Sequence, residues 1–316
     1  MPVPFLMNLA FDSSIILPCR TYLFEYKSVR FKLVQTHYRE YHDHLLTVVR
    51  DINDTAAMNR AFAVGAEFVS ALAWEQDAAM TVWNSGGAGW RGGSLRFAKP
   101  TIFGFRRLPF RGYHIGGNLI SIPHVQTNEQ RIALALFREA RASNSPYLSF
   151  LFYWQAMEVL ATDPQAFIEN VMRNHRRQVP IEDSWLSELP LAGRSIGDYL
   201  EDDCRHAVAH IKRRPGRRTL DLDSSDEHRR FTISVRVVEA LAEAYITHHL
   251  RMSEKLSLVR PRSGGFPRFA DKAERERRWY KLAYPYAPLS QDQVRRLVRH
   301  PRFPPTRRRS RSPRST

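Results

Sequence analysis

His124-Val-Gln-Thr127-Asn-Glu-Gln130-Arg-Ile-Ala-Leu-Ala-Leu-Phe-Arg-Glu-Ala-Arg-Ala142 is the stretch at which the chain changes texture. Thr127 followed three residues later by Gln130 is a capping box, in which each side chain satisfies a backbone N–H that the first helical turn leaves unpaired. The spacing predicts a helix over about 128–142, with Ile132, Leu136 and Ala140 on its apolar face. Ser145 before Pro146 marks the start of a second helix, and Ser224-x-x-Glu227 is a second capping box. Periodicity places further helices near 146–162, 164–175, 196–212 and 226–253. Their faces include Leu151, Trp154 and Leu160 in one, and Val235, Val238, Leu241 and Tyr245 in the last. The gap 178–194, with Pro180 and Pro190, reads as a loop. Four or five such helices with short connections form a bundle over 126–255.

Upstream of this point the pattern is strand-like. Apolar and β-branched runs at 21–24, 29–34, 45–49, 79–83, 101–105 and 119–122 are separated by polar stretches. One helix interrupts them from 54 to about 74, with Met58, Phe62, Val69 and Leu72 at helical spacing. Gly-rich 86–93 lacks the Lys-Ser/Thr of a phosphate loop and precedes an extended segment, 94–97, so a mobile hairpin loop is expected. Trp90, Arg91 and Arg96 offer it only a weak stacking and phosphate-binding surface. The fold class is α+β, with a strand-rich domain over 1–125, the bundle, and a tail over 256–316.

Two cysteines, Cys19 and Cys204, exclude a disulfide-stapled scaffold and a Cys-rich zinc module. No apolar run approaches the roughly 20 residues of a membrane span, and the opening MPVPFLMNLAFDSS lacks the basic flank of a signal peptide. A cytoplasmic protein without a membrane partner is expected. The formal charge of +16 is unevenly placed: from Glu254 onward 18 Lys and Arg face 5 Asp and Glu, while the preceding 253 residues hold 30 against 27. The tail, ending with Arg307, Arg308, Arg309 and Arg311, is too poor in apolar surface to fold and is expected to be disordered apart from short helices near 271–282 and 291–298. Such an Arg-rich tail attracts RNA and other polyanions without sequence preference.

The stretch with most chemical content is Asp202-Asp203-Cys204-Arg205-His206-Ala207-Val208-Ala209-His210. An arginine presents a permanently charged fork to phosphate oxygens, and a histidine exchanges protons near neutral pH. Five positions on an ideal helix leave about 140° between Arg205 and His210, so the two converge only at a distorted helix end or across a dimer. Asp202, His206 and His210 share a face at i, i+4, i+8, an alternative with metal-ligand spacing that lacks the general base of a zincin. A third reading makes the histidines hydrogen-bonded interface residues and pairs Arg205 with Asp202 or Glu201. Glu158, alone in an apolar and aromatic helix, needs a buried partner, and Arg205 across the bundle is the candidate. Cys204 has no defined base and carries no expected thiol chemistry.

Arg205, the polar His206, small apolar residues and His210, in a late helix before a long final one, resemble the R-x4-6-H motif of HEPN domains. In a bacterial protein of this kind the resemblance implies a dimeric, metal-independent endoribonuclease needing no cofactor. The RNA 2′-hydroxyl would attack the adjacent phosphate and leave a cyclic 2′,3′-phosphate. His210 would act as general acid or base, Arg205 would stabilise the phosphorane, and His206 would assist, with Glu158 and Asp202 in support. The layout with Phe152-Tyr153-Trp154-Gln155-Ala156-Met157-Glu158 and then Arg205 to His210 also resembles methylamine-utilisation proteins of the MauJ type. That resemblance implies a noncatalytic accessory or scaffold protein, using the bundle for dimerisation or partner binding.

Overall fold

The computed structural model describes residues 3–17, 21–35, 43–83, 87–91, 94–97, 114–115, 119–160, 163–209 and 220–258. The expected strand at 101–105, Cys19, His210 and the tail beyond Leu258, including Arg307, Arg308, Arg309, Arg311 and the short helices expected within it, lie outside these residues. The first tail residues are corrected from disordered to ordered, since Leu256 and Ser257 belong to a strand.

The chain is mixed α+β, with an antiparallel sheet in its N-terminal part and helices after it. In chain order come β1 (Val3–Ser13), β2 (Ile15–Ile16), β3 (Thr21–Tyr26), β4 (Val29–Val34), β5 (Asp43–Asp51), α1 (Asp54–Glu75), β6 (Met80–Trp83), β7 (Gly87–Arg91), β8 (Ser94–Phe97), β9 (His114–Ile115) and β10 (Ser121–Pro123). The main sheet runs β3-β4-β5-β1-β7-β8, and β6 pairs with the end of β1 at Ala10↔Trp83 through Ser13↔Met80. β1 is therefore central, although the sequence shows no strand there. A central strand reads as a nearly continuous apolar run without alternation, and Pro4 argues against one except near a strand's first residue, where it stands. The Gly-rich segment is corrected as well. Gly87–Arg91 is a strand, pairing with β1 at Phe5↔Gly89 and with β8 at Gly89↔Arg96.

α1 crosses this sheet, and Phe68 stacks on Phe24 at 4.5 Å between ring centroids. Val69 and Leu72 are buried as expected, while Met58 is half-buried and Phe62 exposed. Gly65 permits the close approach, since a Cβ there would lie 2.9 Å from Leu9 Cδ2. The helices that follow are α2 (Asn128–Ala142), α3 (Pro146–Glu158), α4 (Pro164–Asn170), α5 (Asp183–Glu188), α6 (Ile196–Tyr199), α7 (His206–Ala209) and α8 (Ser225–Ala244), and the described chain closes with β11 (Lys255–Ser257).

α2 starts at the predicted box, with Thr127 Oγ1 accepting from Gln130 N and Gln130 Oε1 accepting from Thr127 N. Its buried face is Ala133, Leu134, Phe137 and Ala140, turned from the expected one so that Ile132 and Leu136 are only half-buried. α3 likewise buries Tyr147, Phe150, Tyr153, Trp154 and Met157, leaving Leu151 half-buried, and Leu160 beyond its end is exposed. Ser224 caps α8 through Glu227 N, but the Glu227 carboxylate turns to Arg230, so only half of that box forms. The 178–194 loop contains α5, with Val179, Ile181 and Leu189 buried around it.

Both halves contribute to one hydrophobic core running from Leu9 to Met252. Trp74 of α1 meets Phe137 of α2 edge-on at 4.8 Å, Arg141 joins Asp77 to Glu239, and β10 pairs with β11 at Ile122↔Leu256. Among the described residues no helix is long and apolar enough to cross a membrane.

Candidate functional site around Arg205

The helix expected over 196–212 is broken into three parts. Ser195 Oγ caps α6, Leu200–Arg205 is a π-helical turn, and His206–Ala209 resumes the α form. A π turn adds a residue to the helical circuit and releases a carbonyl from the regular ladder. Tyr199, Leu200 and Cys204 are thereby all directed inward and fully buried.

Arg230 of α8 fastens this turn from beneath. Its Nη1 donates to Tyr199 Oη at 3.1 Å and to the Asp203 carbonyl at 3.3 Å, lies 3.4 Å from Cys204 Sγ, and its Nη2 donates to Glu227 Oε2 at 2.6 Å. Ser234 Oγ lies 3.3 Å from Tyr199 Oη and donates to Arg230 O at 3.0 Å. Arg230 and Glu227 are both buried, where a charge needs a hydrogen-bonded partner, and they form such a pair. Burial pushes the Cys204 thiol up, against the pull of the neighbouring guanidinium, which makes it a poor nucleophile. Arg230, Tyr199 and Ser234 carry no expectation from the sequence, and Glu227 is expected there only as the acid of a capping box. The available signal was Glu227 and Arg230 at i, i+3 on a helix whose next residue, Phe231, is apolar.

On the outer side, Arg205 Nη2 donates to Glu158 Oε1 at 3.3 Å, and the indole Nε1 of fully buried Trp154 donates to the same oxygen at 2.9 Å. The contact across the helices is the one expected of Glu158, and Arg205 pairs with it rather than with Asp202 or Glu201. His206 Nδ1 lies 3.4 Å from Asp202 Oδ1 one turn back, and Arg194 grips Asp203 through two bonds of 3.0 and 2.5 Å. Glu158, Asp202, Arg205 and His206 therefore form two adjacent carboxylate-to-base pairs, each half-buried. Among the described residues no group of three or more His, Cys, Asp or Glu could hold a metal. The proposed third ligand, His210, is outside them. Chemically, Arg205 has one edge committed to a carboxylate.

The fold and site define a mixed α+β protein whose helical half is tied together by buried and half-buried ion pairs. Residues 133–247 are similar to a family described as Methylamine utilization protein MauJ. No curated protein and no solved structure matches the chain.

Proposed function

We propose that this chain is a noncatalytic accessory protein of the MauJ type. In it the Arg205 segment secures the helical half, and that half serves dimerisation or partner binding. The observation that carries this reading is the engagement of Arg205. A guanidinium that receives phosphate must offer its fork, whereas here Nη2 of Arg205 donates to a carboxylate held by Trp154, whose charge would repel an incoming phosphate. The matched segment spans both Glu158 and Arg205, and the family is described as one of methylamine utilisation.

The second reading is the HEPN-like endoribonuclease acting through Arg205, His206 and His210 of two protomers on RNA. One observation favours it: Arg205 and His206 keep 28% and 20% of their side-chain surface open beside a π turn, a distortion frequent at functional sites. In both readings 1–125 and 126–255 are the working units. The basic 256–316 segment adds nonspecific polyanion affinity that falls with salt.

The readings separate on incubation of the full chain with mixed RNA in chelator, beside Arg205→Ala and His210→Ala. The accessory reading expects no cleavage above buffer by any of the three. Wild-type cleavage that disappears in both variants would overturn it.

A further inference from the structure

A cavity of about 660 Å³ opens between the start of α4, the π turn Val171–His175 and the π turn Tyr245–His249. It lies within the size range of small-molecule sites. One wall is aromatic and firmly built. Tyr245 is fully buried, His249 stacks on it at 4.9 Å with 21° between the planes, and Phe167 meets the tyrosine edge-on at 5.1 Å.

The polar part of the lining is biased towards donors. His175 and His248 are exposed and make no hydrogen bond or ion pair to another described residue. Asn170 uses its carbonyl oxygen to accept from Asn174 at 2.7 Å, which leaves its NH2 group for another acceptor, and Gln178 contributes a second carboxamide. The single carboxylate of the lining, Asp163, caps α4, its Oδ1 accepting from Ala166 N at 3.0 Å. Three imidazoles and two amides against one committed carboxylate suit an anionic head, and the ring wall suits a flat body.

We propose that this cavity binds a mono- or bicyclic aromatic carboxylate, its ring against Phe167 and His249, which Tyr245 backs from beneath, and its carboxylate towards His175 and His248. The site is separate from the Arg205 cluster, and the proposal holds whichever reading of that cluster is right.

The test is calorimetric titration of the full chain with 1-naphthoate. One saturable site is expected, with 1-naphthalenemethanol, the same ring without charge, about tenfold weaker, equivalent to about 1.4 kcal/mol. The cation 1-naphthylmethylamine should not bind. His175→Gln with His248→Gln, both exposed positions, should weaken naphthoate about tenfold while leaving the melting temperature unchanged, and Phe167→Ala should weaken naphthoate and the alcohol alike. Absence of saturable naphthoate binding, equal or tighter binding of the alcohol, saturable binding of the amine, or unchanged affinity in the double histidine variant would each overturn the proposal.

Discussion

Arg205 and Glu158 stand 47 residues apart in the chain, yet the guanidinium Nη2 lies 3.3 Å from the carboxylate Oε1. The contact joins the π turn Leu200–Arg205 to the end of α3. Trp154 donates to the same oxygen and fixes the carboxylate, so Arg205 meets a preorganised acceptor. Arg230 secures the inner side of the turn, and the segment is thus clamped from both sides. A helix distortion costs backbone hydrogen bonds, and these two arginines supply the compensating donors and charge pairing.

The inner clamp is the stronger of the two because it is buried. Arg230→Met withdraws the guanidinium from the buried Glu227 carboxylate and two donated hydrogen bonds from the Asp203 carbonyl. The expected loss is about 3 to 5 kcal/mol in urea unfolding. A loss below about 1 kcal/mol, the scale of a single neutral hydrogen bond, would show that the π turn holds itself.

Gln130 does more than close its capping box. Its Oε1 accepts from Gln126 N at 2.7 Å and Thr127 N at 3.1 Å, while its Nε2 donates to Leu250 O at 2.8 Å, joining the start of α2 to the region just past α8. Gln130→Leu is expected to cost about 2 to 3 kcal/mol in chemical denaturation. Thr127→Ala, which removes only the cap, should cost about 1 kcal/mol. Equal costs would mean that the Leu250 bond adds nothing.

Alkaline pH should unfold the protein through its buried tyrosines. Burial raises the phenols of Tyr26, Tyr153 and Tyr199, with further upward contributions from Glu67, Glu239 and Cys204 respectively. These contributions are complete below the unfolded-chain value of about pH 10. Above it the unfolded chain sheds protons that the folded one retains. Stability then falls, by up to about 1.4 kcal/mol per pH unit for each tyrosine. Tyrosinate absorbance from these rings should rise only together with unfolding. Titration of all three in the still-folded chain would contradict the shifts.

Legibility in the sequence followed local signals. The Thr127 box and the Ser145-Pro146 start were readable because capping chemistry is local, and the helix beginning near 54 was readable from its apolar spacing. β1 was not, because its identity as the central strand depends on partners at 43–51, 80–83 and 87–91. The three π turns were invisible for a related reason. They arise where an α-helix must accommodate a tertiary contact, as the turn at 200–205 does around Arg230, and no residue pattern announces them. Glu158 was found because a lone acid in an apolar helix demands a partner. Arg230 and Glu227 pair with each other at i, i+3 and so left no such anomaly.

The central claim is that Arg205 acts in the architecture of the helical half, and a double-mutant cycle of Arg205→Ala with Glu158→Gln tests it most directly. Unfolding free energies of the wild type, both single variants and the double variant give the coupling between the two side chains. The account predicts a favourable coupling of about 0.5 to 1 kcal/mol, modest because both groups are only half-buried. Zero coupling, with Arg205→Ala as stable as the wild type, would show that the guanidinium is not committed to the fold and would contradict the account.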